Sequence, residues 1–339
     1  MAARGQMAGT SEGLVGIEAI RAAARTLDGI ALRTPLLAFG PAQARHYLKP
    51  ESLQPIGAFK IRGAYNAIAS LSPELRAGGV VTHSSGNHAQ GVARAARLLG
   101  IRAVIVMPSD APAIKRARVE ADGAEIVTVG TASREREETA ERLAAEQGLT
   151  LIPPYDDDRV IAGQGTVGLE IVQDLPDVAA VLVPVGGGGL ASGVAAALKA
   201  LRPAARVIGV EPELAADARD SLAAGRIVRW DAARSSRTIA DGTRTQSIGA
   251  RTFAHLSALL DGIVTVSEAE IAAGVRIAAE DARLVVEPSG ALTIAALRFR
   301  GTEAGLAELD GAVVAVVSGG NVDPERYREL LLAPVPAAR

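Results

Sequence analysis

Short apolar runs rich in Val and Ile alternate along the chain with longer Ala-rich segments of helical period. Gly79–Thr82 precedes Ala89–Leu99, Ala103–Met107 precedes Ala113–Ala121, and Ile126–Val129 precedes Arg134–Glu146. The rhythm resumes at Ala180–Val185 with Leu190–Leu201, then Val207–Val210, Gly262–Val266 with Glu268–Glu280, and Gly311–Val317. The runs are apolar throughout, as strands covered on both faces of a parallel sheet must be. Strand and helix repeated in turn predict a doubly wound α/β architecture with mostly parallel sheets. No fixed-period repeat or low-complexity tract interrupts it, and Pro153-Pro154 is the best local candidate for a crossing between domains. Met1–Ser11 reads as a ragged tail.

Composition narrows the function classes. The 339 residues, 48% of them hydrophobic, suffice for one or two packed cores. Lys plus Arg number 36 against 38 Asp plus Glu, and no basic run offers nucleic acid a footprint, which favours a small-molecule partner. The absence of cysteine rules out disulfides, thiolate metal sites and a cysteine nucleophile, and suits a cytoplasmic location. No apolar stretch is long enough to predict a membrane span.

Ligands of open parallel sheets bind beyond the carboxyl ends of the strands, so chemistry is expected just after each apolar run. Four segments carry it. In Gln54-Pro55-Ile56-Gly57-Ala58-Phe59-Lys60-Ile61-Arg62-Gly63 a turn leads into a helix with Lys60 in its first turn, where the helix dipole would lower the amine's pKa; a solvated surface lysine is the plainer reading. His83-Ser84-Ser85-Gly86-Asn87-His88 gathers donors at a helix start, suited to a carboxylate or to ordinary capping. Gly186-Gly187-Gly188-Gly189 joins an apolar strand to a helix, so that bare backbone amides can converge on a phosphate. Glu211 lies near the distance of a ribose partner, which leaves a dinucleotide open. Ser318-Gly319-Gly320-Asn321 places a hydroxyl at a strand end, or forms a turn.

In this order and spacing the four segments resemble those of the fold-type II pyridoxal-phosphate enzymes, in the threonine/serine dehydratase and serine racemase group. The resemblance runs from about Arg33 to Asp323. It implies a large cofactor-binding domain over 1–78 and 157–339 and a small mobile domain over 79–156. Lys60 would bond the aldehyde of pyridoxal 5′-phosphate, Gly186, Gly187, Gly188 and Gly189 would hold its phosphate, and Phe59 would pack near the ring. Asn87 would meet the phenolic oxygen and Ser318 the pyridine nitrogen. Ser84, Ser85, Asn87 and His88 would take the substrate carboxylate, with Ser85 matching the racemase hydroxyl on the opposite face of Cα. Glu211, the Ala215 carbonyl and Asp217 would form a Mg²⁺ or Ca²⁺ site, the alternative being an acidic helix start. Arg134 would bind a distal carboxylate, or belong to the solvated face of a charged helix.

The activity so implied is β-elimination from L-threonine or L-serine to a 2-oxo acid and ammonia, by a cytoplasmic homodimer. A serine or aspartate racemase and a 3-hydroxyaspartate dehydratase are the nearest alternatives; β-replacement of the cysteine-synthase kind ranks lower, because His88 follows Gly86-Asn87 where those relatives usually carry Thr. A nicotinamide oxidoreductase and a non-catalytic metabolite-binding protein are the readings from other classes. Ala58 and the Thr243-Arg244-Thr245-Gln246 string depart from the family pattern, the latter in the side-chain pocket. With about 16 residues after Asp323, an appended regulatory domain is not expected.

Overall fold

Ten strands form two sheets among the residues described by the computed structural model, 13–84, 86–111, 113–130 and 133–337. The tail expected over Met1–Ser11 lies outside them. The strands are β1 (Leu37–Phe39), β2 (His46–Pro50), β3 (Val80–His83), β4 (Ala103–Pro108), β5 (Glu125–Val129), β6 (Thr150–Leu151), β7 (Val178–Pro184), β8 (Arg206–Pro212), β9 (Gly262–Val266) and β10 (Ala312–Val317). The larger sheet has the order β1-β2-β10-β7-β8-β9 and the smaller one β5-β4-β3-β6. All pairings are parallel except β1 with β2, so the fold is the expected α/β arrangement with one antiparallel edge.

Alternation along each central strand feeds two cores. In β10, Val313, Ala315 and Val317 join one apolar cluster, while Val314 and Val316 join another on the opposite face. The smaller sheet divides likewise, Ile105 and Met107 against Val104 and Val106. Its first core also takes Ala64, Ala67 and Ile68 from the helix Lys60–Ala69, and Leu71 just beyond it.

Several elements escaped the periodicity, among them the β1–β2 pair and the helix Asp158–Asp174. The β1–β2 pair is short, and β2 contains the charge of Lys49, which is buried because its ammonium donates to Glu170 and to the Thr34 carbonyl, both at 2.6 Å. The helix Asp158–Asp174 was hidden by three glycines, Gly163, Gly165 and Gly168, that weaken its apolar stripe. Those glycines are contact surfaces. A Cβ on Gly163 would lie 2.6 Å from the Arg62 carbonyl oxygen, and one on Gly168 2.8 Å from that of Val194. The central helix therefore touches, backbone to backbone, the helix that begins at Lys60 and the helix Gly189–Leu201 that begins at the tetraglycine.

Candidate active site

Lys60 is the first residue of its helix. The turn before it is stitched to the end of β10: Phe59 N–H donates to the Ser318 carbonyl at 3.1 Å, and Ala58 bridges Gly319. The half-buried Lys60 ammonium lies 5.1 Å from the centre of the Phe59 ring and donates to the Pro154 carbonyl at 2.6 Å. Burial lowers its pKa from 10.5 to about 8. Desolvation, rather than the helix dipole invoked from the sequence, is the cause.

The tetraglycine leaves β7 and opens the helix Gly189–Leu201. Gly188 has φ +92°, which a side chain would strain. A Cβ on Gly187 would enter the Tyr155 ring, and one on Gly189 would lie 3.0 Å from Tyr155 Cα. Gly187 and Gly188 leave no room for a side chain, and the turn presents bare amides at the positive end of a helix.

Ser84 ends β3 and its hydroxyl accepts from Gly86 N–H at 3.2 Å, while Ser85, expected to act in catalysis and carboxylate binding, lies outside the described residues. Asn87 begins the next helix; its amide donates to a Glu287 carboxyl oxygen at 2.6 Å, and its carbonyl accepts from Asn321 at 2.8 Å. Burial first, then the nearby Asp241 charge, push the Glu287 carboxyl up to about 8. His88 is buried, with a pKa depressed to about 3, so it is neutral. Its Nε2 lies 3.0 Å from the Ile152 carbonyl and must donate there, which leaves Nδ1 an unprotonated acceptor. A neutral ring so oriented cannot offer a carboxylate the N–H that the sequence suggested; only the backbone of His88 can.

Phe59, Lys60, Ser84, Asn87, His88, Gly186, Gly187, Gly188, Gly189 and Ser318 all border one cavity of about 760 Å³. Arg134 does not. Its side chain is exposed and pairs with Glu138 one turn along the helix at 2.6 Å. Arg136 borders the cavity instead: at 100° per residue, two positions carry a side chain to nearly the opposite face of the helix. Glu211, near the end of β8, and Asp217, at the start of the following helix, are buried and do not border the cavity. Glu211 accepts from Ala218 and Arg219 N–H at 3.0 and 2.8 Å, whereas Asp217 Oδ2 has no partner. Burial raises both carboxyls, Asp217 to about 7, and each lies close enough for Asp217 to raise Glu211 further.

A family model described as "Pyridoxal-phosphate dependent enzyme" matches residues 28–319. The chain belongs to that family. It is 45% identical to the L-threo-3-hydroxyaspartate ammonia-lyase of Saccharomyces cerevisiae over 85% of this chain and 86% of the relative. It is 44% identical to an L-threonine ammonia-lyase of Thermotoga maritima, over 91% and 76% respectively. The structure of maize serine racemase superposes with a TM-score of 0.88 at 38% identity, covering 93% of this chain and 96% of the other. These similarities place the enzyme in the fold-type II, threonine/serine dehydratase and serine racemase group.

The cavity fits the family's cofactor by the chemistry of its donors: one lowered amine, one side-chain-free turn at a helix start, one buried hydroxyl at Ser318 and the Phe59 ring. Arg136, Glu287 and Tyr155 were not singled out from the sequence. Glu287 had a signal, since Leu284-Val285-Val286 is a short apolar run ending in Glu-Pro. Tyr155 directly follows the Pro-Pro pair, and Arg136 lies within a run of charges that gives no direction.

Proposed function

We propose that this enzyme is an ammonia-lyase that converts L-threonine or L-serine to a 2-oxo acid and ammonia. The observation that carries this reading is the convergence of the Lys60 amine, the four-glycine turn and the Ser318 hydroxyl on one cavity. Bound pyridoxal phosphate supplies an aldehyde and an electron-withdrawing ring that stabilises negative charge at Cα of the amino acid. Lys60 would anchor that aldehyde and, as a free amine, would take the Cα proton of the substrate. Gly186–Gly189 would hold the phosphate, Asn87 the phenolic oxygen, and Phe59 would flank the ring. Ser318, a neutral partner for the ring nitrogen, does not hold it protonated, which favours prompt loss of the β-hydroxyl over longer-lived carbanion chemistry. Ser84 and the amides at the start of the helix Asn87–Leu99 receive the substrate carboxylate. Incubation of the cofactor-loaded protein with either amino acid yields the 2-oxo acid; its absence from both rejects the reading.

A second substrate is favoured by one residue. Arg136 brings a guanidinium to the cavity, which suits the distal carboxylate of 3-hydroxyaspartate. Arg136→Gln then lowers kcat/KM for 3-hydroxyaspartate at least tenfold more than for threonine, and equal losses exclude this role.

We also propose a Mg²⁺ or Ca²⁺ ion at Glu211, the Ala215 carbonyl and Asp217. Its support is the pair of adjacent buried carboxyls, one with an unpartnered oxygen. Among the described residues no cluster of three or more His, Cys, Asp or Glu forms, so carbonyl and water oxygens must complete the shell, as hard cations accept. A chelator titration that leaves thermal stability unchanged rejects the ion. The resemblance assigns proton transfer at the opposite face of Cα to Ser85, tested by Ser85→Ala with chiral product analysis. It also implies a homodimer, tested by sizing chromatography at micromolar concentration.

A further inference from the structure

The helix Ala250–Leu259 lies behind the tetraglycine and begins without a capping side chain of its own, at Gly249. Asp156 supplies the cap from 94 residues away. Its Oδ2 accepts from Ala250 N–H at 3.1 Å, and its Oδ1 from Arg251 and Thr252 N–H at 2.8 and 3.1 Å. Three of the four amides that a helix start leaves open are thereby satisfied. A Cβ on Gly249 would collide with that carboxyl. Asp156 follows Tyr155, which packs on Gly187 and Gly189, and Pro154, whose carbonyl holds Lys60.

Thr252, fully buried in the first turn, continues the chain of bonds. Its Oγ1 accepts from Gly249 N–H at 2.9 Å and donates to the Gly187 carbonyl at 2.8 Å. The same hydroxyl lies 3.2 Å from the Gly249 carbonyl, the longer of its two possible acceptors. No peptide bond among the described residues is cis. In a trans peptide the C=O and the following N–H point in opposite directions. With the Gly187 carbonyl turned back onto Thr252, which does not border the cavity, the Gly188 N–H is turned toward the cavity that Gly187 and Gly188 do border.

We infer that Thr252 is a positioning residue for the cofactor's phosphate: its hydroxyl holds the Gly187 carbonyl and so aims the Gly188 amide at the anion. Thr252 touches neither cofactor nor substrate. On the reading of Gly186–Gly189 as the phosphate cradle, its effect must fall on phosphate binding.

Two probes separate the cases: pyridoxal 5′-phosphate and pyridoxal, which has the aldehyde and lacks the phosphate. Cofactor-free wild type, Thr252→Val and Thr252→Ser are titrated with each, binding being followed by equilibrium dialysis. Misaiming of one amide that donates to the phosphate predicts about tenfold weaker binding of the phosphate form to Thr252→Val, with pyridoxal changed less than about twofold. Thr252→Ser restores binding to within about threefold of wild type, because it keeps the donor. Unchanged binding by Thr252→Val, equal weakening of both probes, or a Ser variant as weak as Val overturns the inference. If Thr252→Val fails to fold, judged by its melting curve, Thr252→Ala against Thr252→Ser carries the same comparison. Failure of the cradle itself looks different: wild type then binds both probes equally well.

Discussion

A lysine whose ammonium has a carbonyl and an aromatic face for company, and whose pKa is lowered to about 8, is a free amine in about one molecule in ten at neutral pH. Since the neutral amine is the form that attacks an aldehyde, the rate at which cofactor-free protein bonds pyridoxal phosphate rises with pH through about 8 and then levels. A pH-jump absorbance series checks this, and a midpoint near 10.5 contradicts it. Lys60→Arg keeps the charge and removes the nucleophile, so activity falls by about a thousandfold or more and borohydride fixes no cofactor to the chain. Glu287 tests the opposite sign. Its carboxyl is raised from 4.5 to about 8, so the stability it contributes as a neutral acid is complete below pH 4.5 and is lost as pH rises through about 8. Glu287→Gln keeps an acceptor for Asn87 and cannot ionise. It is expected to be more stable than wild type at pH 9 by about 1 to 3 kcal/mol and similar at pH 5, read from urea midpoints. Lys60, Asn87 and Ser318 could be expected to line one cavity because each stands in a string whose neighbours specify the turn around it. Glu287 meets Asn87 across 200 residues, and no local string records such a meeting. Arg134 was misplaced for a related reason: a charged helix with a weak apolar stripe does not announce which face turns inward.

At the scale of elements, most strands and several of the helices that follow them were legible to within a few residues because solid apolar runs have few alternatives. What the pattern missed is the helix Asp158–Asp174, which sets the spacing between the amine and the glycine turn by packing glycine against two neighbouring helices. Gly163→Ala forces a methyl to 2.6 Å from the Arg62 carbonyl. The helices must part, at a cost of about 1–3 kcal/mol, and cofactor affinity falls with them. A melting curve and a cofactor titration measure the two effects, and loss of neither would show that the spacing is not fixed there. The same helices are joined by a buried ion network. Arg62 donates to Glu51 at 2.7 and 2.9 Å and to Glu170 at 2.6 and 3.0 Å, and Glu170 also receives Lys49. Arg62→Met leaves two buried carboxylates facing a single lysine. The expected loss is about 3–5 kcal/mol, because an uncompensated buried charge costs more than the pair contributes. A denaturant midpoint shift below about 1 kcal/mol would contradict it.

The whole molecule closes its cavity with few bonds between the two sheets' surroundings. Lys115 pairs with Asp241 at 2.8 Å, Arg118 reaches Asn321, and Asn87 is held by Glu287 and Asn321. We propose that residues 79–156 move as a unit about these contacts, with Tyr155 and Asp156, still bonded to 247–252, as the hinge, and with one constraint that the sequence hid. The helix Lys60–Ala69 lies outside that range, yet buries Ala64, Ala67 and Ile68 in the smaller sheet's core, and its Gly63 in contact with Gln164 and Val160 of the central helix. It is therefore shared by both bodies, and motion of 79–156 must slide against it rather than swing free. Asp241→Asn tests this, since a partly exposed ion pair contributes only about 0–1 kcal/mol to stability while the opening equilibrium depends on just these few bonds. The melting temperature should shift by no more than about 2 °C, and amide exchange should rise in Ala113–Ala121 and at the cavity end of Asn87–Leu99. Exchange in Lys60–Ala69 should stay near wild type, because that helix keeps its larger-body contacts in either arrangement. Were its protection lost together with that of 113–121, the helix would belong to the moving unit, and Lys60 would travel away from the glycine turn each time the cavity opened.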